Sequence, residues 1–218
     1  MNELLFAVQV AVVFGFTAVL AKREWLAGWM GLLAILANLF VTKQIRLFGL
    51  DVTASDVYAV GLFLSLNILQ EFWGVGEGRK AIRVTLGFQL FFLAASQLHL
   101  LLEPNGYDTS QSAFMTVLGV YPRILFASLF TLWIVQRWDL WFFGWVKKRF
   151  LVLSFSVRNM ICLMISQAFD TVLFSWLGLS GIAGDLFHVM AMSFAVKMAL
   201  IALTPLITLP LRRYAIQV

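Results

Sequence analysis

The sequence has few charged residues, and this limits the class of protein that it can encode. Asp, Glu, Lys and Arg make up 12% of the 218 residues, about half of the fraction found in soluble domains. Hydrophobic residues make up 61%. The apolar segments occupy most of the chain and leave no room for a separate soluble domain. We therefore predict one all-α integral membrane domain over residues 1–218.

Other residue types are scarce, and their scarcity excludes several kinds of site. The single cysteine, Cys162, excludes an intrachain disulfide and a cysteine-based metal cluster. The two histidines, His99 and His188, fall near the outer ends of predicted helices and suggest no metal site. No nucleotide-binding glycine motif or zinc-protease motif occurs. We therefore expect no cofactor and no metal.

The net charge of +5 does not indicate a nucleic-acid partner. Membrane proteins collect Lys and Arg in their cytoplasmic loops, and this bias alone makes them basic. The first charge of the chain is Glu3, and the apolar run that follows is too long for a signal peptide. We expect this first segment to be retained as a transmembrane helix.

Seven apolar segments are long enough to cross a bilayer, since about 20 residues span the hydrocarbon core. They are 3–21, 25–43, 54–73, 82–102, 114–136, 159–178 and 186–210. Between the fifth and sixth spans, residues 137–158 place Trp138, Trp141 and Trp145 before a basic cluster. This pattern predicts an interfacial helix in a cytoplasmic connection.

The distribution of basic residues orients the bundle. If there are seven spans, 12 of the 16 Lys and Arg fall on one side. The twelve are Lys22, Arg23, Arg79, Lys80, Arg83, Arg137, Lys147, Lys148, Arg149, Arg158, Arg212 and Arg213. The loops of the opposite side hold Lys43 and Arg46. The positive-inside rule then predicts that the N-terminus is outside and the C-terminus is cytoplasmic.

Charged residues expected at membrane depth are the strongest functional signal. They are Glu71, Arg123, Asp170 and Lys197, and each costs about 2.5–3.5 kcal/mol at mid-membrane on insertion scales. Such residues pair with one another or face a wet cavity. Pairing alone would give them a purely structural role. Glu71 could also extend to the interface, and Arg123 could start its helix after Pro122.

Polar residues on several helices predict one shared site. Asn67 and Glu71 are four residues apart, and Asn159 and Asp170 lie on one stripe of the sixth span. The candidate substrate-binding residues are Asn38, Asn67, Glu71, Arg123, Gln167, Asp170 and Lys197, with Gln97 and Asn159 in a second tier. Charges of both signs and several amides suit a small, flat, polar solute such as a purine-like heterocycle. The residues alone predict a transporter for a small polar solute.

Four blocks of the sequence resemble the queuosine-precursor transporters, also called the vitamin uptake transporter family. The blocks are ANLFVTKQIRLFGLDVTASDVYAVGLFLSLNILQEFWG (37–74), PRILFASLF (122–130), VRNMICLMISQAFDT (157–171) and AVKMALIALTPLI (195–207). The resemblance implies a six-helix core, with the span 3–21 as an extra N-terminal helix. It also implies a multi-pass protein of the cytoplasmic (inner) membrane that imports 7-cyano-7-deazaguanine, 7-aminomethyl-7-deazaguanine or queuine.

The resemblance also suggests roles for the candidate residues. A guanine-like edge offers an N1–H and a 2-amino group, for which Asp170 is the first expected acceptor and Glu71 the second. Gln167, Asn38 and Asn67 would read the remaining polar edge. Lys197 and Arg123 would balance the acidic charge or bind the 6-oxo group. We expect alternating access around a midplane site.

One departure from the family pattern concerns Asn67, where the family commonly has Asp. An amide cannot carry the charge or proton of a carboxylate, so ion coupling or the choice among the three bases would differ here.

Two other functions are open at this stage. One is a substrate-capture subunit of an ATP-driven energy-coupling vitamin transporter, with Ala7 and Ala11 as a docking face, although such spacing more often serves ordinary helix packing. The other is an intramembrane enzyme, which the absence of a Ser/His/Asp or two-His arrangement at plausible depth disfavours. A bundle of this size is also compatible with a homodimer.

Overall fold

The computed structural model describes residues 1–41, 43–119, 121–180 and 186–214, and nearly all of them are helical. The helices are α1 (Asn2–Val19), α2 (Arg23–Phe40), α3 (Asp56–Trp73), α4 (Val75–Leu100), α5 (Gln111–Leu118), α6 (Tyr121–Arg149), α7 (Phe155–Phe174), α8 (Leu186–Leu203) and α9 (Pro205–Tyr214). A π-helix, Ser175–Leu179, continues α7. The prediction of an all-α membrane protein is confirmed in this general form.

Four helical segments of the described chain are long and apolar enough to cross a membrane. They are α1, α4, Phe155–Gly178 and Leu186–Leu209, and a bent pair, Gln111–Leu118 with Pro122–Arg149, makes a fifth. The helices α2 and α3 are not in this set because both carry charged and polar residues. The count of seven spans and the orientation of the termini stay predictions.

The helix α3 lies at the centre of the bundle. It contacts α1, α2, α4, α6, α7 and α8, and every residue from 60 to 70 is buried. A helix that is buried on all sides packs against protein rather than lipid. It can therefore carry Asn67 and Gln70 at buried positions without exposing them to hydrocarbon.

Two turns shape the segment around α3. An unpredicted antiparallel hairpin, β1 (Gln44–Leu47) and β2 (Leu50–Thr53), joins α2 to α3. Its two turn residues, Phe48 and Gly49, both have positive φ (51° and 83°), as a two-residue hairpin turn requires. At the other end, Gly74 has φ 86°, which lets α3 end and α4 begin at the next residue. Both turns fix α3 tightly between its neighbours.

Three predicted segment boundaries differ from the structure. Residues 137–149 are not a separate helix, because α6 continues to Arg149 and the connection to α7 is residues 150–154. No helix-breaking residue follows 136, and a helix of 29 residues extends beyond the hydrocarbon core at about 1.5 Å per residue. The predicted span 114–136 divides into α5 and α6. The span 186–210 is interrupted at Thr204, before Pro205, which has no backbone N–H to donate.

The packing of α7 positions much of the polar interior. Ser154 caps its N-terminus by accepting a hydrogen bond from the backbone of Val157. The helix runs antiparallel to α6, and the two pack closely along their length. The lone cysteine, Cys162, is fully buried on α7. Polar residues of α7 therefore face α3, α6 and α8 at successive depths.

Candidate substrate site

A cavity lies at the end of the bundle where α3 begins and α7 ends. It contains about 710 Å³ of empty space, including its open mouth. Residues of α2, α3, α4, α6, α7 and α8 and of the hairpin line it. The polar lining consists of Asn38, Thr53, Ser55, Asp56, Gln89, Ser128, Thr131, Asp170, Thr171, Ser175, Ser193 and Lys197. Concave sites with a few convergent polar groups are the usual form of small-molecule sites.

A charged cluster of two carboxylates and one ammonium forms one wall of the cavity. Lys197 Nζ lies 2.9 Å from Asp170 Oδ2 and 4.0 Å from Asp56 Oδ1. It also donates a hydrogen bond to Thr171 Oγ1 at 3.1 Å. Lys197 is 4% exposed, so this charge depends on the carboxylates for its stability. With all three groups ionised the cluster keeps one excess negative charge.

Asp56 is the member of this cluster that the sequence reasoning missed. The residue is 2% exposed, and Ser193 donates a hydrogen bond to its Oδ1 at 2.8 Å. Its other oxygen, Oδ2, is buried and has no hydrogen-bond partner in the described part of the chain. An unpartnered buried carboxylate oxygen is costly, and this one belongs to a residue that lines the cavity.

Nothing in the sequence marks Asp56 as unusual. It occupies the first turn of α3, where an acidic residue commonly stabilises the helix dipole. The sequence gives only the spacing of Ser193 and Lys197, one helical turn apart on α8; the structure shows that both reach Asp56.

A second polar group, made of neutral side chains, lines another part of the cavity. Asn38 of α2 donates a hydrogen bond to Gln89 Oε1 of α4 at 2.7 Å, and it accepts one from Ser128 of α6. Of the predicted site residues, the structure thus brings Asn38, Asp170 and Lys197 to one cavity. Gln89 and Ser128 complete a group that offers both donors and acceptors.

The other predicted residues do not line this cavity. Asn67 donates a hydrogen bond to Asn159 at 3.1 Å, and Asn159 donates one to Thr204 at 3.3 Å, in a buried layer. Gln167 is fully buried. Its amide has no hydrogen-bond partner among the residues that the structure describes. The two remaining residues bond to backbone: Gln97 Nε2 donates to the Leu118 carbonyl at 3.4 Å, and Arg123 donates to the Ser180 carbonyl at 2.8 Å.

Glu71, the second predicted acceptor, lies in a different cluster. Its carboxylate is 2.5 Å from the guanidinium of Arg158 and 3.2 Å from Lys147 Nζ. Arg158 and Asp170 are 12 residues apart on α7, which is about 18 Å along the helix axis. The structure therefore separates Glu71 from the cavity.

The sequence matches the family described as "Putative vitamin uptake transporter" over residues 53–210. The chain belongs to this family. It is 31% identical over 185 residues to a protein of Bacillus subtilis (strain 168) named "Probable queuosine precursor transporter", covering 84% of this chain and 79% of that relative. No solved structure matches the chain. The chain is therefore a membrane transporter, as the resemblance implied.

The region matched by the family contains the charged cluster of the cavity. It begins at Thr53, at the end of the hairpin, rather than at residue 37, where the resemblance starts. Asp56, Asp170 and Lys197 all lie inside the matched region. The helices α1 and α2 precede it, and α2 contributes Asn38 to the cavity.

Asp139 is a further buried carboxylate of this vitamin uptake transporter. It is fully buried and accepts a hydrogen bond from Ser166, and its other oxygen has no partner in the described segments. No cationic nitrogen of the described residues lies within 4.0 Å of it. Because the sequence reasoning assigned residue 139 to an interfacial helix, this carboxylate was missed. Ser166 lies four residues before Asp170, so Asp139 lies about 6 Å beyond the cavity cluster along α7.

Proposed function

We propose that this transporter imports queuosine precursors, as 7-deazaguanine bases, through the cavity at the start of α3. The observation that carries the proposal is the free oxygen of Asp56 beside the Asp170–Lys197 pair. The name of the Bacillus subtilis relative supports the same substrate class. The cavity lies in the region matched by the family.

The lining of the cavity is chemically complementary to a guanine-like base. The N1–H and 2-amino group of such a base are neighbouring donors, and both need acceptors. Asp56 Oδ2 has no hydrogen-bond partner among the described residues, while Asp170 Oδ2 already binds Lys197. We therefore assign the first acceptor role to Asp56 and a shared role to Asp170, which revises the order expected from the sequence. Lys197, or the Asn38–Gln89 amides, would donate to the 6-oxo group.

Two aromatic side chains supply the apolar part of the proposed site. Phe63 of α3 and Phe174 of α7 line the cavity together with the polar groups. An aromatic ring offers a flat base a stacking surface. Phe174 precedes the π-helix Ser175–Leu179, and such irregular helical turns are often found at functional sites. We propose that this turn adjusts when the base binds.

The proposed mechanism is alternating access with the cavity open to the outside in this structure. In the seven-span topology, the hairpin and the start of α3 lie on the outer side. On the cytoplasmic side of the cavity, the Asn67–Asn159 layer and the Glu71–Arg158–Lys147 cluster are packed between α3, α6 and α7. Movement of these helices against each other would open the inner side and close the outer one.

A rescue assay tests the proposed function. Cells that cannot make queuosine precursors and lack their own importer receive this chain, one of the three bases, and the enzymes needed to use that base. We expect one base to restore queuosine in tRNA, and Asp56→Asn to abolish the rescue. The matched control is Glu103→Gln, which removes a carboxylate from an exposed loop and should rescue normally.

Two outcomes would overturn the proposal. If no base restores queuosine although the protein is in the membrane, the substrate class is wrong or the chain does not transport alone. Calorimetric binding to the purified chain separates these cases, because tight binding without uptake would favour a capture subunit. Normal rescue by Asp56→Asn would remove Asp56 from the site.

A further inference from the structure

Four basic side chains surround a second concavity, here called the basic groove, between α4 and α6. Arg79 and Arg83 of α4 and Arg137 and Lys148 of α6 line it, and it contains about 1550 Å³ of empty space, including its open side. The lining includes no Asp or Glu among the described residues. All four basic side chains are exposed. The groove therefore concentrates positive charge at one place on the bundle surface.

This charge has no compensating carboxylate. Among the side chains that the structure describes, no carboxylate oxygen lies within 4.0 Å of the four cationic groups. The neighbouring Lys80 differs, because it pairs with Glu77 at 2.6 Å. The guanidinium of Arg137 instead lies 5.5 Å from the ring centre of Trp133, a cation–π contact that leaves its charge in place.

The rest of the lining is suited to acyl chains. Trp133, Trp141 and Trp145 of α6 line the groove, and their exposed fractions are 45%, 64% and 46%. Tryptophan is enriched where a membrane protein meets the headgroup region. Ile82 and Leu86 of α4 add an aliphatic surface. A ligand of this groove would need both a negative charge and an apolar part.

The depth of the basic residues also fits a lipid headgroup. Arg79 and Arg83 are four and eight residues beyond Val75, where α4 begins, so they lie about 6 and 12 Å from that end. Long arginine side chains reach toward the interface from such depths. Lys148 is next to the last residue of α6. Arg79, Arg83 and Lys148 thus lie near the ends of their helices, where their side chains can reach a lipid headgroup.

We propose that the basic groove binds an anionic phospholipid, with the phosphate held by the four cations and the acyl chains packed against the tryptophans. Basic pockets between transmembrane helices on the cytoplasmic side are suited to anionic headgroups. A second copy of the chain is a poorer occupant, because a symmetric contact brings the same uncompensated cations together. The lipid neutralises the groove and links α4 to α6.

Native mass spectrometry of the purified full chain tests this proposal without a transport assay. The protein is mixed in detergent with phosphatidylglycerol or phosphatidylcholine, and the retained lipid is counted. We expect wild type to retain phosphatidylglycerol preferentially. The double variant Arg83→Gln/Arg137→Gln should bind it roughly 25-fold more weakly, since each cation contributes about fivefold.

A matched variant and a second measurement make the test specific. Lys22→Gln/Arg149→Gln removes two exposed basic residues that do not line the groove, and it should bind like wild type. In wild-type protein, brominated phosphatidylglycerol should quench tryptophan fluorescence at lower mole fractions than brominated phosphatidylcholine. Equal retention of both lipids, or equal loss in the two double variants, overturns the proposal.

Discussion

Two charged clusters lie at different depths of the bundle, and they differ in composition and in the space around them. The cavity cluster has two carboxylates, Asp56 and Asp170, for one cation, Lys197, and a free carboxylate oxygen beside an open cavity. The inner cluster has one carboxylate, Glu71, between two cations, Arg158 and Lys147. It lines neither the cavity nor the basic groove.

The difference indicates which charges serve binding and which serve packing. The cost of a charge at membrane depth is reduced when opposite charges are in contact. The inner cluster meets this condition, because each carboxylate oxygen of Glu71 lies within 3.2 Å of a cation. The cavity cluster meets it only in part, and a ligand with donor groups would complete it. Position within a span alone therefore does not identify a binding residue.

The largest expected effect is on the stability of the cavity cluster. Lys197→Met leaves two carboxylates, one buried and one half-buried, without a cation, and breaking a buried pair costs about 3–5 kcal/mol. We expect a large fall in the thermal unfolding midpoint in detergent. The double variant Lys197→Met/Asp170→Asn removes one of the stranded charges and should recover much of the loss. Equal destabilisation in both variants would show that the ion pair is not the cause.

A smaller effect is expected when the free acceptor of the cavity is changed. Asp56→Asn keeps the size of the side chain but replaces an acceptor with a group that carries donors. Hydrogen bonds to charged groups contribute about 1.5–3 kcal/mol, so the affinity for the base should fall roughly 10- to 150-fold. Calorimetric titration of purified protein measures this loss. Unchanged affinity would transfer the acceptor role to Asp170.

The inner cluster should respond in the opposite way. Glu71 contacts Arg158, which is about 18 Å from Asp170 along α7. Glu71→Gln should therefore change the affinity for the base by no more than about twofold. The uptake rate should change, because the variant alters contacts between α3, α6 and α7. Parallel binding and uptake measurements separate the two quantities. A large loss of affinity would contradict the division of the clusters.

The smallest effect is expected at Asp139, which belongs to neither cluster. Asp139→Asn can still accept the hydrogen bond from Ser166, and it removes an ionisable group that has no cationic partner in the described residues. We expect the unfolding free energy to change by less than about 1 kcal/mol, since a neutral amide avoids the cost of an unpaired charge. Thermal unfolding beside Asp170→Asn provides the comparison. A larger loss for Asp139→Asn would reveal a bound cation or an unrecognised partner.

The sequence predicted the helices well because apolar runs of sufficient length are a local signal. It also predicted that charges inside spans pair with one another or face a wet cavity, and Asp170 pairs with Lys197 beside a cavity. It did not predict the partner of Glu71, because Arg158 and Lys147 lie outside the predicted spans. Asp56 was missed for a related reason: its partners Ser193 and Lys197 belong to α8, which is distant in sequence.

The hairpin escaped prediction because its signals are weak. Its strands have four residues each, and its turn is Phe48-Gly49 rather than the common Asn-Gly pair. The continuity of α6 was also missed, since the boundary at 136 was set from the length of an average span. In both places the structure depends on contacts between elements, which one segment of sequence does not show by itself.

The burial of Cys162, the one thiol of the chain, has a practical consequence. A thiol that is fully enclosed by protein should react slowly with membrane-impermeant maleimides. The wild-type chain then provides a low background for reporter cysteines placed one at a time. Reporters at the exposed Phe48 of the hairpin and the exposed Arg149 at the end of α6 would be labelled from opposite sides of sealed vesicles if the predicted orientation holds.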